Sequence, residues 1–268
     1  QDYWKGSYNL STLTSTYLTN DVGNWFREQV AAHPEAKWRV ALVHKNVFSG
    51  SGHQEDEETP LFRETMLPIF KDCEIDLVLQ GHDHCYEIIG PVDADTRTPI
   101  LNAISDVETV PMNMVSNMTG KKGGVFNVND GTLYFIGATC GTKRYNPNHK
   151  LTMEADYEKH KVENYYDLFT GMFGQPGRPS YSSFTVDGNI ITVNSYKVYE
   201  GMEPLLFNTF HIKRTREHTP YSEKAHKTLE QMIQEYGTVK ILHNGNMLIV
   251  RENIAYDTLG QLIYDNRD

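Results

Sequence analysis

Short apolar runs alternate with segments of helical spacing through the first third of the chain. Asp21 stands where a helix N-cap is expected, and Trp25, Phe26, Gln29 and Val30 share one face of a helix over 22–32 that Pro34 ends. Trp38 to Val43 is a short apolar run, read as a core strand that delivers His44. Residues 49–58 form a glycine-hinged loop whose acidic end reads as solvated. Thr59 and Pro60 open a second helix over 61–71, with Pro68 as a point of distortion. A second apolar run from Ile75 to Leu79 then stops at Gly81. This order predicts adjacent strands joined by a crossover helix, and so an α/β core.

The pattern changes after Glu87. Residues 90–131 are rich in turn formers, with strand-like pieces at 100–103 and 124–126, and Thr132 to Thr139 alternates as a strand. Residues 143–180 are polar and aromatic, with a helical piece at 153–170 and a Gly/Pro loop at 171–179. Asp187-Gly188 lies between two alternating runs, 181–186 and 190–199, and predicts a tight hairpin, followed by a strand over 205–213. We divide the chain into a main domain, 1–213, and an appendage, 214–268, with a helix at 223–236, a hairpin over 240–251 and a last apolar pair near 254–256 and 259–264.

The formal net charge of -10 argues against a nucleic-acid partner, which would call for a basic face. It does not argue against a phosphorylated one, because bound metal ions can dominate a local field. No apolar stretch reaches the ~20 residues that span a bilayer, so no membrane partner is expected. Cys73, Cys85 and Cys140 are too scattered for a disulfide framework or a thiolate zinc site. The chain opens on Gln1 and is read as processed or truncated at its start.

The chemistry lies at strand ends. His44 follows the run 38–43, His53 sits in the loop beyond it, and Gly81-His82-Asp83-His84 follows the run 75–79. Neutral imidazole is the commonest metal ligand, and histidines carried by rigid strand ends are what a metal site on an α/β sheet requires. Asp83, between two candidate ligands, is read as bracing the turn. Lys45 either contacts phosphate or snorkels to solvent. The remaining histidines have no ligand spacing.

Val43-His44 with Phe48-Ser49, then His53, then Asp76 through Gly81-His82-Asp83-His84-Cys85-Tyr86-Glu87 resemble the last metal motifs of the calcineurin-like metallophosphoesterases, and within them the purple acid phosphatase-like branch. The resemblance covers about residues 20–213. It implies the C-terminal half of a four-layer αββα sandwich with a mixed sheet, followed by a small α+β appendage. It also implies a phosphoric ester hydrolase with two divalent or trivalent metal ions (Fe, Zn or Mn). His44 and His82 would bind one ion and His84 the other, while His53 would contact phosphate or the leaving group. The family's upstream Asp, Gly-Asp and Gly-Asn-His motifs have no counterpart here. The chain is therefore expected to be weakly active or inactive alone, with a phosphoester as substrate of the whole protein. Its expected partner is its missing N-terminal half or a second copy of itself. The alternative is a non-catalytic metal-binding or partner-binding module. The tail resembles short β-rich C-terminal segments of secreted bacterial proteins, which implies an extracellular or periplasmic location.

Overall fold

Alternation sets the centre of the fold. In the strand Thr132–Gly137, Leu133 and Phe135 join one apolar cluster, while Tyr134 packs against Phe48 and Phe70 on the opposite face. Buried residues on both faces place a layer on each side of this strand.

The computed structural model describes residues 18–110, 121–147, 165–219 and 221, and in the C-terminal part 238–243, 246–251, 254–256 and 262–265. The chain forms two units, 1–219 and 220–268. The strands of the first unit are β1 (Val40–Leu42), β2 (Leu77–Gln80), β3 (Tyr86–Val92), β4 (Ile104–Thr109), β5 (Lys121–Asn127), β6 (Thr132–Gly137), β7 (Phe173–Gly174), β8 (Ser180–Asp187), β9 (Ile190–Lys197) and β10 (Leu205–Lys213). Its helices are α1 (Gly23–Ala32) and α2 (Glu58–Asp72). One five-stranded sheet has the order β1-β2-β6-β3-β7, and a second has β4-β5-β10-β9-β8. Both are mixed: β1, β2 and β6 run parallel while β3 is antiparallel to β6 and β7, and β5 is parallel to β10 in an otherwise antiparallel sheet. The expected mixed α/β architecture is therefore present.

Between the sheets lies a core that includes Leu77, Tyr86, Phe126, Leu133, Phe135, Val193 and Phe210. Phe135 meets Phe210 with ring centroids 5.3 Å apart, and Phe210 meets Phe126 at 5.8 Å. Every other residue of β9 from Ile191 onward is buried, as a strand with one face on the core requires. On the outer face of the first sheet lies α2, whose Phe62, Met66, Ile69 and Phe70 are buried. α2 also makes the crossover that lets β1 and β2 pair in parallel.

Several local readings change. Asp21 does not cap a helix; it lies in a π turn over Leu18–Val22, and Val22 precedes α1 without a side-chain cap bond. The pieces at 100–103 and 124–126 become a 3-10 turn at Leu101–Ala103 and part of β5. Strand β3 was not expected, because Gly90-Pro91 argues against a central strand. The proline is tolerated at a register shift between Ile89 and Val92, where β3 skips ladder pairs with β6. Of the helical piece at 153–170, Tyr165–Leu168 is a 3-10 turn; 153–164 and the expected helix 223–236 lie outside the described residues.

The second unit contains one antiparallel sheet, β11 (Val239–His243), β12 (Asn246–Arg251), β13 (Ile254–Tyr256) and β14 (Leu262–Asp265), in chain order. The last apolar pair thus continues the second hairpin. Among the described residues no helix is long and apolar enough to cross a membrane.

The two ends of the first sheet differ. Before β2, fully buried Asp76 accepts from Arg39 N at 2.8 Å, Arg214 Nη1 at 2.8 Å and His218 Nε2 at 3.0 Å, which ties the segment after β10 to the sheet. The opposite end, beyond the carboxyl ends of β1 and β2, carries the histidines. That is the end where open α/β sheets place their ligands.

If the aromatic contacts hold the two sheets together, Phe210→Ala should destabilise the chain by about 3–5 kcal/mol. Chemical denaturation checks this, and a loss below ~1 kcal/mol would place the stabilisation elsewhere.

Candidate metal centre

The ends of β1 and β2 stay in register after their ladder stops. Val43 N donates to Leu79 O at 2.9 Å, and Gly81 N donates to His44 O at 3.2 Å, so His44 lies against the glycine of the turn. A Cβ at Gly81 would stand 3.3 Å from His44 Nδ1, too close for easy accommodation. The next residue, His82, has φ of +67°, a left-handed conformation that non-glycine residues seldom adopt. Such strain persists where surrounding contacts over-determine it, and often at functional sites.

Those contacts come from the irregular loop 46–53. Gln80 Oε1 accepts from Val47 N at 2.6 Å and Phe48 N at 3.3 Å, while its Nε2 donates to Phe48 O at 3.0 Å. Asp83 accepts from Asn46 Nδ2 at 2.9 Å, from Ser49 Oγ, and from His53 N at 3.4 Å. Gly50 N lies 3.1 Å from each oxygen of Glu87, and the Phe173 ring excludes a side chain at Gly50, whose Cβ would strike it. Burial pushes the Glu87 carboxyl well above the usual range, and neighbouring Asp83 pushes it further. Burial also raises Asp83, against opposing bonds from the loop. Asp83 braces both histidine segments, as expected from its place in the turn.

The structure brings His44, His53 and His82 together. His44 Nε2 lies 3.2 Å from His82 Nδ1, and the rings of His53 and His82 are 3.9 Å apart. His84 faces a different loop: its Nδ1 donates to Lys143 O at 2.8 Å and its ring lies 4.9 Å from Tyr145. That loop is fixed by Gln175 Nε2, which donates to Tyr145 O at 2.6 Å and to His84 O at 2.8 Å. Tyr145 also contacts the His53 ring, at 5.2 Å, and so links the two groups of histidines.

Asp56, read from sequence as part of a solvated loop, faces the site instead. Its Oδ2 is 2.9 Å from His53 Nδ1 and 3.6 Å from His82 Nε2. A ligand atom from each of His53, Asp56 and His82 lies within 4.8 Å of the others. The spacing held a signal, because residues three apart eclipse in a 3-10 turn, and His53 lies in such a turn over Gly52–Glu55. Lys45 does not snorkel. Its side chain is only 5% exposed, and Nζ lies 2.5 Å from Glu58 Oε1, 3.3 Å from Asp56 Oδ2 and 3.0 Å from His82 Nε2.

An ammonium has donors and no acceptor, so His82 Nε2 accepts a hydrogen bond from Lys45 Nζ and the ring's own proton sits on Nδ1, directed to His44. Burial, reinforced by Lys45, His53 and His44, lowers the His82 pKa to about 4. Burial, with Lys45 next, also lowers His44. Both rings therefore stay neutral at pH 7, the form that ligates metal. Partial burial opposes the Asp56 charge, but bonds from His53 and Lys45 outweigh it and hold the carboxyl below its usual range. The donor set, imidazole nitrogens with a carboxylate, suits iron, zinc or manganese.

No family model matches the chain. Purple acid phosphatase 3 of Arabidopsis thaliana is 35% identical over 85 residues, which is 31% of this chain and 21% of that protein. Purple acid phosphatase 4 of the same plant is 29% identical over 87 residues, 32% of this chain and 23% of that protein. An uncharacterized protein of Mycobacterium tuberculosis is 30% identical over 91 residues, 31% of this chain and 17% of that protein. The chain thus spans about a fifth of the length of the curated relatives it matches. Among solved structures, a purple acid phosphatase from yellow lupin (Lupinus luteus) seeds superposes with a TM-score of 0.46 at 16% identity, covering 76% of this chain and 29% of that one.

The buried carboxyl of Glu87 gives a pH test. Its folded pKa is raised, so the stability it contributes is present below the unfolded value near 4.5 and is lost as pH rises through the folded value. Glu87→Gln should therefore raise Tm at pH 7–8, with the gain shrinking as pH falls toward 4.5. A gain independent of pH, or a loss at pH 8, would contradict this assignment.

Proposed function

Because the recognisable third of this chain is purple acid phosphatase-like, we propose that the chain is the C-terminal part of a metal-dependent phosphoric ester hydrolase. In this reading it supplies histidine ligands to a binuclear centre. The observation that carries the reading is the approach of His44 Nε2 to His82 Nδ1, 3.2 Å. Two nitrogens bound at about 2.0–2.1 Å to one tetrahedral ion stand roughly 3.3 Å apart. His84 supports it as well: with Nδ1–H given to a backbone carbonyl, Nε2 is left to ligate. When bound, the metal pair supplies a water acidic enough to attack phosphorus at neutral pH and positive charge to offset that of the phosphoryl oxygens.

The protein's own residues do the rest. His44 and His82 hold one ion and His84 the second. His53, with Nδ1–H held by Asp56, donates a second proton from Nε2, carried by the imidazolium form, to a phosphate oxygen or to the leaving group. Asp83 and Glu87 keep the His53 loop against the turn so that these positions do not drift.

Alone, this chain turns over little. Three neutral imidazoles do not offset the charge of two ions, Asp56 and Glu58 are paired with Lys45, and His82 holds its proton on the nitrogen that must ligate. The carboxylates come from the N-terminal half of a longer protein. β1, an edge strand among the described residues with Leu42 78% exposed, receives that half or, in its absence, a second copy. The substrate is a phosphorylated small molecule or other phosphoester. An extracellular or periplasmic location belongs to the same proposal.

Hydrolysis of p-nitrophenyl phosphate tests this reading. The 268-residue chain, loaded with iron, zinc or manganese, should show a rate no higher than its His82→Ala variant. In the longer protein the same substitution should cost on the order of 100-fold or more. Turnover of about 1–10³ s⁻¹ by the chain alone would overturn the incomplete-site argument.

A further inference from the structure

We propose that His53, Asp56 and His82 form a mononuclear site for a divalent first-row metal ion within this chain, and that the Lys45 ammonium is the cation that fills the site when no metal is bound. This assignment does not rest on the phosphoesterase reading. It makes ligands of a carboxylate and a ring nitrogen that bind no metal in the binuclear arrangement.

The argument starts from charge. Taking an ammonium out of water is costly, so a buried lysine is found where opposite charge is concentrated. Lys45 Nζ reaches Asp56, Glu58 and the Nε2 of His82 at 2.5–3.3 Å, and two of these three groups belong to the cluster whose ligand atoms lie within 4.8 Å. A place that holds an ammonium among an imidazole lone pair and a carboxylate is, in donor chemistry, a place for a metal ion. His82 Nε2 and Asp56 Oδ2 are 3.6 Å apart, close to the ~3.3 Å between ligands of one tetrahedral ion.

His82 makes the two modes exclusive. A neutral imidazole has one lone pair. With Lys45 in place that lone pair is on Nε2, toward Asp56. Ligation through that nitrogen removes no proton from His82; the metal replaces the ammonium. Ligation beside His44 requires the proton to leave Nδ1 as well. Lys45 therefore competes with the metal, and the Nε2 site is the one this chain can fill without a partner.

Zinc is the probe. The full chain should bind one zinc ion; His53→Ala and Asp56→Asn should each weaken binding at least about tenfold, and Lys45→Met should strengthen it by a similar factor. The unmutated protein gives a second readout. Zinc should protect His53 and His82 from diethyl pyrocarbonate while His84 stays reactive, and should increase acetylation of Lys45. Protection of His44 and His84 with His53 left reactive would overturn the proposal and leave the binuclear reading standing. An unchanged zinc affinity in Asp56→Asn or Lys45→Met would also overturn it.

Discussion

Two buried carboxylates, Asp83 and Glu87, hold the functional end of this molecule together. The loop 46–53 has backbone groups that no sheet satisfies, and Asp83, Glu87 and the amide of Gln80 accept most of what it offers. A charged carboxylate in a dry interior is costly, and the donors of the loop offset part of that cost. The dependence is mutual. The loop is held by the carboxyl groups beneath it, and its donors oppose the cost that its own cover imposes on them. His53 is placed by this exchange, and so is the left-handed turn at His82, one residue before Asp83.

That polar layer rests on an apolar one. Glu87 lies in β3, whose neighbour Tyr86 packs into the inter-sheet core with its hydroxyl 2.9 Å from Ser195 Oγ and 3.0 Å from Asn208 Nδ2. Successive residues of β3 thus face opposite ways, one fastened to the second sheet and one to the histidine loop. A shift of β3 by one residue would exchange the two, so the register fixed by β6 and β7 also positions the site.

The sequence announced the parts governed by period and by strand ends. The runs that become β1 and β2, the helix between them, the Asp187-Gly188 hairpin and β10 were all legible, because burial on one or both faces writes itself as alternation or as an apolar run. Strand β3 was not, since Gly90-Pro91 speaks against a strand unless the bulge that absorbs the proline is known. His44, His53 and His82 could be picked as candidates from their places after strands. Which histidines meet could not be, because the separation of His84 from the others depends on the loop carrying Lys143 and Tyr145. Asp56 was hidden by its neighbours: within Glu55-Asp56-Glu57-Glu58, only the fold decides which carboxylates turn inward.

Lys45 shows why that inward turn matters energetically. Asp56 and Glu58 would leave negative charge in a half-buried place, and the structure answers with its own cation. Burial lowers the proton affinity of His44 and His82, and the same ammonium lowers it further, so both rings are kept in the ligating form. A site that needs positive charge and neutral histidines is therefore maintained in both respects without metal. A doubly charged ion at the same place would meet the same acceptors with stronger attraction, while the long, flexible lysine stem allows the ammonium to withdraw toward solvent. Preorganisation by a lysine thus sets a threshold on metal binding, since an incoming ion must outcompete an ammonium that is already paired.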